Sequence, residues 1–405
     1  MRSRFFLISL TFLSLSLSAQ TGKEFAKQGD TKFSAGDYKG AAALYTKAIE
    51  KEPALIAAWF NRGMAKTNLQ DYNGAIADLS KVIELDPKSA PAYAGRGSAK
   101  NRLQDWNGAI ADFSRAIELD PKLADAWYNR GFAKNSLRDF AGAITDFRKA
   151  SELNPASFES FIGLGVALLS TDDFNEALKA FTKATDVNPS SAEAWYNRGY
   201  ARDRTGDFAA AVADYSKSLE IDASQPQVLY NRGLARNNLR DFENAIADFA
   251  ASLELDPSNA DAHYSMGFAK HELKDYDGAI ACYTKTIALN PNAADVYYNR
   301  GYSKELKKDI KGALADYSMS VKIDPTFSDG YYAEGIMYNE LKDYKGALAS
   351  LKKAVELNPD FADGWCSLGI ARINLSMKEE GCKDLKKALG MGSKEAAEVL
   401  KKYCE

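Results

Sequence analysis

Basic excess, histidine, cysteine and long apolar runs are all scarce in this chain, and each scarcity removes a class of function. The 405 residues carry a formal net charge of -3, so no cationic surplus exists to neutralise a nucleic acid backbone. Only two histidines occur, His263 and His271, and Asp275 stands one turn after His271 where a helical zinc site would need a second one. Four cysteines, Cys282, Cys366, Cys382 and Cys404, show no metal-ligand spacing. Neither a nucleophile–base pair nor a phosphate-cradling glycine loop is present. The sequence therefore argues against an enzyme and implies no cofactor and no metal.

One apolar run exists, Phe5 to Leu17, and it is shorter than the ~20 residues a spanning helix needs. Arg2 and Arg4 precede it and Ser18-Ala19-Gln20 follows it. A short basic start, an apolar stretch and a small-residue exit predict a secretory signal peptide over residues 1–19, cleaved after Ala19. The alternative is an uncleaved anchor. On the first reading the mature chain is exported, to the periplasm of a Gram-negative cell or to the medium, and does not insert in a membrane.

What the chain does have is a period. Prolines recur every 34 residues at Pro53, Pro87, Pro121, Pro155 and Pro189, and again at Pro257, Pro291, Pro325 and Pro359. Glycines keep the same interval from Gly29 through Gly131 to Gly369. A fixed period of this length means stacked copies of one supersecondary element, each too small to bury its own apolar face. Residues 124–157 show the copy in detail. Trp127, Gly131 and Ala133 lie on one face of a first helix, with Asp125 in its first turn. Asp139 is a candidate N-cap for a second helix whose stripe is Phe140, Ala143, Phe147 and Ala150. Asn154-Pro155 ends it. The copy is an antiparallel helical hairpin.

Trp127, Gly131, Ala143, Phe147, Ala150 and Pro155 fall where the tetratricopeptide repeat has its signature residues, and the chain resembles that family over residues 22–395. Eleven repeats start at 22, 56, 90, 124, 158, 192, 226, 260, 294, 328 and 362, the last degenerate, with a solvating helix over 393–405. The resemblance implies an all-α, right-handed superhelical solenoid of hairpins whose first helices line a concave groove. It implies protein or peptide partners.

Two positions depart from the family. Six repeats carry arginine where leucine is commonest: Arg62, Arg96, Arg130, Arg198, Arg232 and Arg300. Sixteen residues on, the same six carry aspartate: Asp78, Asp112, Asp146, Asp214, Asp248 and Asp316. Four repeats lack both. This co-variation among copies predicts an ion pair joining the two helices of each hairpin; two independent solvated charges are the alternative. Lysine or arginine one turn later, at Lys66, Lys100, Lys134, Arg202, Arg236, Lys270 and Lys304, is expected to lay its stem on apolar surface and keep its charge in water.

A second stripe on the first helix comprises Tyr128, Tyr196, Tyr230, Tyr264, Tyr298 and Tyr332, with Ile162 in the unusually apolar fifth repeat. One turn on stand Phe132, Val166, Phe268 and Tyr302, among others; between the two rows stand Asn61, Asn129, Asn197, Asn231 and Asn299. In the family these positions face or border the concave side. Tyrosine suits recognition and asparagine suits the backbone of an extended peptide. Packing between neighbouring repeats remains open for the tyrosines, and a better-packed middle remains open for Ile162 and Val166. Antiparallel packing brings the start of one helix beside the end of the next, so Cys382 and Cys404 are expected to form a disulfide in an oxidising compartment. The functional expectation is an interaction scaffold of the cell envelope binding a segment in the groove, or an architectural subunit meeting partners through its edges.

Overall fold

The computed structural model describes residues 20–405; the expected signal peptide lies outside the described residues. Twenty-three α-helices run in chain order from α1 (Gly22–Ser34) to α23 (Lys394–Tyr403), with no strand among the described residues. They fall into two compact halves, Met1–Pro189 and Ser190–Glu405. The first holds five hairpins; the second holds six and the closing helix. Within each half every helix packs on its neighbours in sequence, and most first helices also touch the next first helix.

The hairpin at α7 (Ala124–Ser136) and α8 (Phe140–Leu153) shows why the chain folds this way. Arg138 takes φ 63°. The amide of Asp139 then donates back to the Lys134 carbonyl at 2.9 Å, closing the end of α7. Asp139 next accepts from the Gly142 amide at 3.0 Å and so caps α8. One residue ends a helix and its neighbour starts the next. Across the hairpin Phe147 is 2% exposed, and a Cβ on Gly131 would stand 3.1 Å from its ring. The period in glycine is a demand for room.

The Trp127 position lies at the margin of the core. Trp59, Trp127 and Trp365 are half-buried, and each indole N–H donates to the carbonyl of Pro53, Pro121 or Pro359 six residues earlier. His263, half-buried in the same place, sets Nε2 3.3 Å from the Pro257 carbonyl. Where repeat six lacks its proline, Pro226 opens α13 (Pro226–Asn238), where its missing N–H costs nothing. At the C-terminal end Ser393 caps α23, which buries Ala396 and Leu400 against the last hairpin. Tyr403 is 43% exposed, with the Lys402 ammonium over its ring. Cys382 and Cys404 are joined in a disulfide, their Cα atoms 5.9 Å apart. Cys282 and Cys366 are free and buried.

A charged spine runs through the hairpins. In all six Arg–Asp repeats the guanidinium Nε donates to Oδ2 at 2.8–3.0 Å. Nη2 donates to Oδ1 at 2.6–2.8 Å. The aspartates are 0–4% exposed. In five repeats the remaining Nη1 donates at 3.0 Å to a hydroxyl of the preceding repeat: Thr46, Ser80, Ser114, Ser216 or Thr284. The lysine or arginine one turn later does not keep its charge in water. Lys66, Lys100, Lys134, Arg202, Arg236 and Lys304 lie 2.6–2.8 Å from the aspartate Oδ2. A buried carboxylate with a spare lone pair draws them in. Lys270 faces Cys282 instead of an aspartate, and its nearest carboxylate, on Asp275, is 4.0 Å away. In repeat eleven Leu368 replaces the arginine, and Arg372, one turn on, holds Asp384 alone.

Repeat ten shows another solution. Glu334, 8% exposed, stands at the arginine position and accepts from Ser318 and Ser350 at 2.6 and 2.8 Å. Repeat five dispenses with the polar set, using Leu164 and Ala180 at the two positions. Arg130→Leu alone strands Asp146 with one cation and is expected to lower stability by about 3 kcal/mol. Adding Asp146→Ala, which recreates the pair of repeat five, is expected to restore most of that loss. Denaturation midpoints of the two variants check this; a double variant no better than the single one refutes it.

Candidate functional site

The tyrosine stripe is half-buried throughout, and it does help hold the hairpin together. Tyr128 lies 5.7 Å from Phe147, Tyr196 6.1 Å from Tyr215, Tyr230 5.9 Å from Phe249, Tyr264 5.8 Å from Tyr283 and Tyr298 5.3 Å from Tyr317. In each pair the second ring belongs to the second helix of the same hairpin. Tyr332 packs on the cluster of Ala347 and Leu351 in its own hairpin and lies 4.7 Å from Phe361, which precedes the next first helix. Burial raises the pKa of Tyr196, Tyr230, Tyr264, Tyr298 and Tyr332 above the usual phenol value, so they act as neutral hydrogen-bonding groups.

The asparagines divide. Asn231 and Asn299 donate Nδ2 to the hydroxyls of Tyr196 and Tyr264 in the preceding repeat, at 3.3 and 3.0 Å. They act as links between repeats, and Asn231 is 9% exposed. Asn61 donates to Asp30 at 2.9 Å, and Asn129 to the Asp125 carbonyl of its own helix at 2.8 Å. Asn197 is half-buried on α11 (Ala192–Arg204). In the fifth repeat Leu164 and Leu168 enter the core while Ile162 and Val166 stay half-exposed.

The exposed aromatic row lies one turn further on. Phe132, Phe268 and Tyr302 are 43%, 41% and 42% exposed. Phe132 meets Trp106 edge-on at 5.9 Å, and Phe268 meets Phe242 the same way at 6.3 Å. Tyr302 stacks at 5.2 Å on His271, whose Nδ1 lies 2.9 Å from the Ser303 hydroxyl. Burial lowers the pKa of His271, favouring the neutral ring. In the first half a cleft of 560 Å³ opens beside Phe132, walled by Trp106, Tyr128, Asn129, Asn101 and Arg102 among others. A second, of 230 Å³, lies on the other side of Tyr128 and Asn129, against Asn154 and Glu159. Ile162 and Val166 belong to neither wall.

One column escaped the sequence reading. Asn101, Asn135, Asp203 and Asn237 stand five residues after the spine arginine of their repeats, and Asn339 five after Glu334; every one leaves Oδ1 buried without a hydrogen-bond partner among the described residues. Asn101 and Asn237 use Nδ2 on backbone carbonyls of the next repeat, Asn129 and Ser265, at 3.2 and 3.4 Å. The 34-residue recurrence of these amides was the available signal. It was masked by the helix ends beside it, where asparagine is common for other reasons.

Family models of the tetratricopeptide repeat match residues 56–89, 124–157 and 162–226. A further TPR repeat model matches 97–137, 241–274, 269–305 and 335–375. Together these matches span more than half of the chain, which belongs to the tetratricopeptide repeat family. It is similar to the crystal structure of MamA, with 30% identity over 40% of this chain and 94% of that one, TM-score 0.38. It is similar to YrrB, described as a TPR protein with an unusual peptide-binding site, with 25% identity over 46% and 97%, TM-score 0.43. A tetratricopeptide repeat protein from Parabacteroides merdae ATCC 43184 is 20% identical over 62% and 99%, TM-score 0.44. Comparison with curated proteins gives no match. Repeats of this family make protein-interaction scaffolds.

Asp203 and Tyr215 offer a test of the unpartnered column. They lie 102 residues before Glu305 and Tyr317, hence at the same places three repeats earlier. Tyr317 donates to Glu305 at 2.6 Å, whereas both the Tyr215 hydroxyl and Asp203 Oδ1 lack partners. The aspartate is one methylene shorter. Desolvation raises the pKa of Asp203 above the usual carboxylate value. The folded chain then holds that proton more tightly than the unfolded one. Its contribution to stability is therefore lost as pH rises from the ordinary carboxylate value through the raised one. Asp203→Asn is expected to gain thermal stability over the parent as pH rises from 4 to 7, read from melting midpoints. A constant difference across that range contradicts the assignment.

Proposed function

We propose that this protein binds an extended segment of a partner protein along its first helices, as an adaptor in the cell envelope. The observation that carries the reading is the cleft beside Phe132. There an exposed aromatic ring, braced edge-on by Trp106, adjoins Asn129 and Asn101, whose Oδ1 has no partner among the described residues. Aromatic area gives contact at low entropy cost, and a primary amide can meet both polar groups of a peptide backbone. Phe268 and Tyr302 offer the same exposed row in the second half. The basic start, apolar run and small-residue exit of residues 1–19 support an exported protein. The tyrosines and Asn231 are packed and linked between repeats, so the deciding residues are the exposed row.

A second reading rests on a separate observation. Leu69, Leu103 and Leu137, and again Leu239, Leu273 and Leu341, end the first helices at 39–46% exposure. A regular row of aliphatic side chains along the turns suits a subunit that meets its partners edge-on.

Phe132→Ser, Phe268→Ser and Tyr302→Ser together are expected to abolish crosslinking to the partner recovered from intact cells while the melting midpoint stays within a few degrees. Retained crosslinking, with loss on Leu103→Ser and Leu137→Ser, favours the edge instead. The envelope assignment predicts a mature chain beginning at Gln20; Edman sequencing that returns Met1 removes it.

A further inference from the structure

The first hairpin carries an acid where the other repeats carry an uncharged and mostly apolar side chain. Asp30 stands in the row of Met64, Phe132, Val166, Leu234, Phe268 and Ile336, and is the only charged residue in it. It sits at a cleft of 310 Å³ walled by Phe33, Phe60, Met64, Tyr45 and Asn61. The carboxylate is held in place. Its Oδ1 accepts from the Tyr45 hydroxyl at 2.8 Å and from Asn61 Nδ2 at 2.9 Å. Tyr45 is 1% exposed, so this anchor is part of the core and not a mobile surface group. Both bonds fall on one oxygen, leaving Oδ2 its acceptor capacity. No ion pair within 4.0 Å joins Asp30 to a cation among the described residues, although the aspartates of the spine have one or two each.

From this geometry we infer that the cleft at Asp30 receives the side chain of a lysine or arginine borne by the bound partner segment. Charge complementarity selects the occupant. A fixed carboxylate meets the cationic head, while Phe33 and Phe60 offer ring surface and Met64 a thioether to the head and its methylene stem. A neutral apolar side chain would instead bury part of an unpaired carboxylate. A second anionic group would be repelled. The inference rests on the groove reading above and adds to it the chemistry of one partner position.

Methionine-methyl NMR of the mature chain, residues 20–405, provides the test, because Met64 lines the cleft. The probes are N-acetyl-arginine amide, N-acetyl-lysine amide, the neutral N-acetyl-norleucine amide, and putrescine. The two cationic amides are expected to shift the Met64 methyl saturably at millimolar concentrations, and norleucine amide at least tenfold more weakly. Asp30→Asn keeps an oxygen for Tyr45 and Asn61, so its fold is retained, and is expected to weaken both cationic amides at least tenfold. Equal shifts by all three amides, or full binding by Asp30→Asn, overturn the inference, as does binding of putrescine alone. These outcomes leave the crosslinking at Phe132, Phe268 and Tyr302 untouched, so this idea can fail while groove binding stands.

Discussion

One guanidinium serving two repeats is the constraint on which the rest of this structure depends. Each spine arginine spends two N–H directions on an aspartate of its own hairpin. In five cases a third goes to a hydroxyl of the repeat before. The planar fork fixes the distance between the two helices and the offset between successive hairpins at once. A carboxylate this buried would be costly alone; held by arginine and by the cation one turn on, it is compensated. In five repeats the arginine also lies over a tryptophan or tyrosine three residues earlier, as Arg130 does over Trp127 at 4.8 Å.

The spine explains how the site is built. Because the hairpins are held from within by charge and by rings such as Phe147, the first helices need not spend every apolar side chain on stacking. Phe132, Phe268 and Tyr302 are left exposed in register. Repeats without the arginine are placed differently: Leu164 makes the fifth repeat apolar, and Glu334 makes the tenth a buried carboxylate held by two serines. Variation in the spine and variation in the groove are thus separable, and a surface can change its chemistry, as at Asp30, without disturbing the stack.

Much of the fold could be read in the sequence because eleven copies act as their own alignment. Proline, glycine and the Asp139-type cap fix hairpin length, and paired loss of arginine and aspartate points to their contact. Partners lying outside the copy were harder to see. Ser114 precedes Arg130 by sixteen residues, in the previous repeat, so a comparison confined to one hairpin misses it. Lys134 looks like a solvated residue until the spare lone pair of Asp146 is known. The tyrosine stripe has helical spacing consistent with either a groove or a core. Only the position of the facing ring, Phe147 for Tyr128, shows which way each leans. The lone acid at Asp30 was legible as an exception, but its cleft required the fold.

If the guanidinium truly links successive repeats, its energetic coupling must cross the boundary between them. A double-mutant cycle on Ser114→Ala and Arg130→Leu, followed by chemical denaturation, measures that coupling most directly. The account predicts an interaction energy of about 1–2 kcal/mol between these residues of adjacent repeats. Additive effects within error would show that each hairpin is held on its own and that the spine stops at every boundary.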